Sequence, residues 1–268
     1  MNKKQKNYWA LSVGVAAMCG FSASAHALTL EDFGLSPTES GRLQGQLYSP
    51  GASPGVAFGS PIGFGTGYTE FFAGVGGQTM PEGAPDAVDG SMSLGLGIGD
   101  PTRWVALEAS TTIISVTDDF GHDGNFNLKL HHALPGRIGV AIGIENTGRW
   151  GDADVTEASN YFAITKAFEV APADSTVPMS LSLNAGVGDG RFAKPGDNGV
   201  GGFGSAAVTF YRRFSVIADW TGRDLNAGVS VLPFKRIPLV VTLGMINFGE
   251  RYSAEREFAG GVGYTFRL

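Results

Sequence analysis

The side chains best equipped for chemistry in this 268-residue sequence are three of its four histidines and the acids around them. His122 stands among Asp118, Asp119 and Asp123 beside a glycine, and His131 and His132 are adjacent. A serine nucleophile needs a base and an orienting group within hydrogen-bond reach. No serine here stands at a spacing that singles it out, so no catalytic residue is expected. Asp118, Asp119 and Asp123 are oxygen ligands of the kind calcium takes. Their spacing is not that of an EF-hand loop and the bidentate glutamate is missing, so they are weak metal candidates and read first as solvated loop acids. No cofactor is expected.

The segments that carry these residues alternate in character with a period of two, as strands with two unlike faces do. In Ser91 to Gly99, Met92, Leu94, Leu96 and Ile98 share one face, and serines and glycines share the other. In the next segment Val105, Leu107, Ala109, Thr111 and Ile113 oppose Glu108, Ser110 and Thr112. Phe126, Leu128 and Leu130 oppose Asn125, Asn127, Lys129 and His131, while His132 falls on the apolar side. Such segments suit a membrane barrel, one face to lipid and one to a lumen. The lumen candidates are Glu108, Ser110, Thr112, Asn125, Asn127, Lys129, His131 and, from a later segment, Asn184.

Twelve such segments can be marked between Tyr68 and Leu268: 68–77, 91–99, 104–116, 125–134, 138–145, 160–170, 179–187, 203–211, 214–220, 225–232, 239–248 and 258–268. The expectation is an all-β, antiparallel up-and-down transmembrane β-barrel of about twelve strands, with ten to fourteen compatible with the pattern. The first links alternate long and short, and Leu134-Pro135-Gly136-Arg137 suits a type II turn, with proline at its second and glycine at its third position. Aromatic residues gather near the segment ends, among them Phe72, Trp104, Tyr161, Tyr211 and Tyr264, as interfacial girdles require.

The beginning of the chain reads as an export signal. Lys3, Lys4 and Lys6 precede an apolar stretch from Tyr8 to Phe21 and a small-residue run ending Ala25-His26-Ala27, so residues 1–27 are expected to be cleaved. Cys19, the sole cysteine, lies within them. A lipid anchor on it is the lesser reading. The formal charge is −6 and becomes more negative without the three lysines, which argues against nucleic acid as a partner. Residues 28–67, with Pro37, Pro50, Pro54 and Pro61 among glycines and serines, read as an irregular periplasmic or plug segment, and 68–268 as the barrel.

In the last segment Phe258, Val262, Tyr264, Phe266 and Leu268 alternate with small and polar residues up to the terminus. Here the chain resembles bacterial outer-membrane β-barrels, whose closing strand ends in alternating hydrophobic residues with a glycine upstream. Gly263, Tyr264, Phe266 and Leu268 stand where that assembly signal would. The resemblance implies a Gram-negative outer-membrane location, with membrane lipid, lipopolysaccharide and the insertion machinery as partners. The polar lumen face points to a porin-like passive channel for small polar solutes. A structural or accessory barrel of the envelope, for example in surface polysaccharide export, is the alternative, and a barrel hydrolase a distant third. Neither the solute nor any homo-oligomer is legible.

Overall fold

A computed structural model of the chain describes residues 53–79, 88–114, 116, 120–151, 158–249 and 256–267. The expected leader, residues 28–52, Asp118, Asp119 and Leu268 lie outside the described residues.

Twelve strands form in chain order: β1 (Glu70–Thr79), β2 (Val88–Gly99), β3 (Ala106–Ile114), β4 (Asp123–Leu134), β5 (Ile138–Trp150), β6 (Ser159–Ala171), β7 (Met179–Gly188), β8 (Gly201–Phe210), β9 (Phe214–Trp220), β10 (Leu225–Val231), β11 (Leu239–Ile246) and β12 (Glu257–Arg267). Each pairs antiparallel with its sequence neighbour, and β1 pairs with β12 from Glu70↔Arg267 to Gln78↔Ala259, which closes the barrel. Closure matters physically because a sheet in hydrocarbon can leave no backbone edge unpaired.

The side-chain pattern is that of a soluble β-protein turned inside out. Along β4, Phe126, Leu128 and Leu130 are exposed while Asn125, Asn127, Lys129 and His131 are buried; Leu128 is 42% accessible and Asn127 8%. The same holds around the wall, with Leu94, Ile98, Phe162, Ile164, Val216, Val229 and Leu243 outside and Ser93, Thr112, Thr165, Asn184, Ser215 and Ser230 inside. Only a lipid surround makes such an exterior favourable, since water would meet a continuous apolar band.

Both ends of the barrel follow from the strand directions. Odd-numbered strands start at the end where β1 begins and β12 finishes, here the near end; the other is the far end. At the near end the link between β4 and β5 carries Gly136 at φ +80, the third-position value of a type II turn, and Arg137 follows at φ +62. Asp100 shapes the link after β2, accepting from the Thr102 N–H at 2.9 Å and the Thr102 hydroxyl at 2.6 Å. These bonds hold its carboxyl below the ordinary range.

Two residues assigned to the girdles by position turn inward. Phe72 and Tyr161 are buried, because their places in β1 and β6 fall on the lumen parity. Each occupies space that a neighbouring glycine leaves free: a Cβ on Gly95 would stand 2.1 Å from the Phe72 ring, and one on Gly143 2.5 Å from that of Tyr161. Trp104 and Tyr211 stay outside at the near end, 78% and 56% exposed. The first strand also begins later than its alternation suggests. Thr69 has φ +68, a value a β-branched residue rarely adopts, at the point where the chain turns into the wall.

Candidate functional site: the lumen and the segment within it

The inward face of the wall is polar on nearly every strand, and its hydroxyls and amides bond one another where they can. Ser93 and Thr112 hydroxyls meet at 3.0 Å, Thr165 donates to Asn184 Oδ1 at 2.7 Å, and Thr242 donates to Ser230 Oγ at 2.8 Å. Among the sequence candidates, Glu108, Thr112, Asn125, Asn127, Lys129, His131 and Asn184 are all buried on this face, and Ser110 shares it half-buried.

Residues 53–67 run inside this lumen. The Gly55 N–H donates to Ser230 Oγ at 2.9 Å, and its carbonyl accepts from the Ser215 hydroxyl at 2.5 Å. Both serines lie at the near ends of β9 and β10. The Val56 carbonyl then accepts from Ser205 at 2.9 Å. By Phe58 and Ser60 the segment has reached Asp219 and Asn226 at the far ends of the same strands. Asp219 accepts from the Phe58 and Ser60 N–H groups at 2.7 and 3.2 Å and from the Ser60 hydroxyl at 2.5 Å, while Asn226 donates to the Phe58 carbonyl at 2.8 Å.

The chain then descends. Asn184 donates to the Pro61 carbonyl at 3.0 Å, and the Gly63 N–H donates to Thr165 Oγ1 at 2.8 Å. At the near end Thr66 donates through its N–H and hydroxyl to Glu108 Oε2 at 2.8 and 2.9 Å, and the Thr66 carbonyl lies 2.9 Å from His131 Nε2. The segment thus enters and leaves by one end, turning beneath the other. An irregular backbone buried there must find partners for its polar groups, and the wall's side chains supply them.

Apolar packing completes the fit. Phe58 clusters with Ala207, Ile217 and Ile246, and Ala57 with Ile62. Glycines make room: a Cβ on Gly244 would stand 2.7 Å from the Phe58 ring and one on Gly139 2.5 Å from Phe64. The relation is reciprocal at Gly63, where a Cβ would lie 2.1 Å from the Gly139 carbonyl oxygen.

At the far mouth, a 3₁₀ turn at Gly190–Phe192 folds inward and buries Arg191 and Phe192. Phe192 packs on Phe203 with ring centroids 4.6 Å apart, and Arg191 donates to Glu145 at 2.5 Å and to the Gly59 carbonyl at 3.0 Å. Arg223, in the link after β9, braces this turn through the Gly190 carbonyl at 2.8 Å and the Ala193 carbonyl. Its neighbour Asp224 is 8% exposed. Burial pushes the Asp224 carboxyl up from its ordinary value, and the Arg223 charge offsets part of that rise.

Three ion pairs lie within the wall: Lys129 with Glu108 at 2.9 Å, Arg191 with Glu145 at 2.5 Å, Arg267 with Glu70 at 2.6 Å. Sequence reasoning placed Glu108 and Lys129 on the lumen face but passed over Glu70, Glu145, Arg191 and Asp219. Asp219 was within reach, since it shares the inward parity of Ser215 in a strand marked correctly. Arg191, in a loop, carried no periodic signal.

As a reactive centre the lumen offers little. The Thr66 hydroxyl is spent on the Glu108 carboxylate, and the His131 Nε2 that would serve as base is held on a backbone carbonyl. Asp123 is engaged by His122 Nδ1 at 2.8 Å, and among the described residues no group of three or more His, Cys, Asp or Glu side chains could hold a metal ion.

No family model matches the chain, and no curated protein does. Among solved structures, the crystal structure of the Acinetobacter baumannii outer membrane protein Omp33 is similar at 10% identity and a TM-score of 0.35, covering 75% of this chain and 98% of that one. The closed ring of twelve antiparallel, sequentially paired strands is the architecture of single-chain outer-membrane barrels.

Proposed function

We propose that the protein is an outer-membrane channel for small polar solutes whose lumen is held shut by its own residues 53–67, with the near end facing the periplasm. The observation that carries this reading is the chemistry of the seal. Most of the segment's polar bonds go to wall serines, threonines, asparagines and acids, groups that water satisfies equally well when the segment leaves. Each such bond has a net worth of about 0.5–1.5 kcal/mol because water replaces it. A wall meant to be permanently dry would gain more from apolar side chains.

A barrel that never opens and serves the envelope structurally is the second reading. The Phe58 cluster with Ile217 and Ile246 favours it, because that contact is lost outright on withdrawal.

Planar-bilayer recording of the processed chain beside its Gly63→Leu variant separates the two. Leucine cannot seat against the Gly139 carbonyl, and the clash is relieved if the segment leaves while the wall keeps its strands. Rare, brief openings in the parent and sustained steps in Gly63→Leu are expected. Silence of a variant that still migrates as a folded, heat-modifiable barrel would remove the channel.

A further inference from the structure

We propose that Asp219 is the residue that selects the permeating solute, and that it favours cations bearing a primary ammonium group. The inference rests on the channel reading above and names the solute class of that lumen.

Three of the wall's other carboxylates are compensated within the wall. Glu108 with Lys129, Glu145 with Arg191 and Glu70 with Arg267 are ion pairs whose members all belong to strands or to the Gly190–Phe192 turn, so they persist when residues 53–67 depart. Asp219 differs. Among the described residues, every hydrogen bond to its carboxylate comes from the segment, from the N–H groups of Phe58 and Ser60 and the hydroxyl of Ser60. Its neighbours in register, Ser205 on β8 and Asn226 on β10, are neutral. The cation that acts on it, Arg191, is bound to Glu145. Glu257, at the start of β12, adds a second inward carboxylate at the far end.

Withdrawal therefore bares a carboxylate on a narrow polar wall, where a fixed charge selects ions of opposite sign. The seal also shows what the site accepts. Three donors converge on one carboxylate, two on Oδ2 and one on Oδ1. An alkylammonium carries the same number of N–H donors on a single charged nitrogen. The segment occupies Asp219 with neutral donors, and an ammonium group makes the stronger, charge-assisted set.

The test uses the full processed chain carrying Gly63→Leu, with and without Asp219→Asn, in planar bilayers across a KCl gradient and then with methylammonium chloride replacing KCl on one side. Asp219→Glu serves as the charge-conserving control. Cation preference over chloride of about threefold or more is expected for Gly63→Leu and for the glutamate variant, dropping towards unity with asparagine. The permeability of methylammonium relative to potassium is expected to fall with asparagine as well. Conducting channels whose reversal potentials are the same with aspartate and asparagine would overturn the assignment while leaving the channel standing. Absence of any conductance would take both away.

Discussion

Lys129 Nζ lies 2.9 Å from Glu108 Oε1, the two facing each other across β3 and β4 in a lumen that leaves each about one-twentieth exposed. Glu108 turns its other oxygen to Thr66, so one carboxylate joins the wall's charge balance to the anchoring of the inserted segment. Removing one partner of a buried pair costs about 3–5 kcal/mol, chiefly for the charge left behind. Lys129→Met is expected to lower unfolding stability by roughly that amount. Lys129→Met with Glu108→Gln should recover much of it, as chemical unfolding in detergent micelles would reveal. A double variant no better than the single one would mean that the pair is not coupled.

The lipid-facing assignment has its own signature. Leu128 points outward near the middle of β4, beside inward Asn127. An arginine at the bilayer midplane of a barrel costs about 2–4 kcal/mol. Leu128→Arg should therefore destabilise by that order in liposome-based unfolding. On a surface bathed in water the same change would lie within about 0.5 kcal/mol.

Asp224 supplies a pH dependence. Burial raises its carboxyl above the ordinary value, so the folded state favours the protonated form. Stability linked to this group is complete below the unfolded carboxylate pKa of about 3.9 and declines as pH rises through the elevated folded value. Asp224→Asn, which carries no charge at any pH, is expected to raise the thermal midpoint of the detergent-solubilised barrel at pH 8 and to match the parent near pH 3. An equal gain at both pH values would show that the effect is not one of ionisation.

The strands were legible because the information is local. A residue in a wall one layer thick meets lipid or lumen, and parity alone decides which. That is why Phe214 to Trp220 could be marked to the residue and Leu225 to Leu232 to within one. Residues 53–67 were legible as irregular, with a plug in the lumen and a periplasmic stretch as alternatives that the sequence left open. Their partners, from Glu108 to Ser230, are scattered over most of the wall, and the binding is largely by backbone groups that leave no side-chain pattern. The inward turn of Phe72 and Tyr161 escaped for a related reason. Whether an aromatic ring fits inside depends on which glycine stands across from it on the next strand, and that pairing exists only once register is set. Register likewise decides that Asp219 meets two neutral neighbours rather than a cation.

Gly55 and Ser230 give the most direct access to the claim that residues 53–67 close the lumen. A Cβ on Gly55 would stand 3.5 Å from the Ser230 Cβ, within disulfide range, and Cys19 falls in the expected leader. Single-channel recording of membrane-inserted Gly55→Cys/Ser230→Cys, oxidised and then reduced in place, is the measurement. The oxidised protein should be cross-linked and silent, with the parent's openings returning on reduction. Failure of the cross-link to form in the inserted protein, or equal conductance in both redox states, would contradict the account.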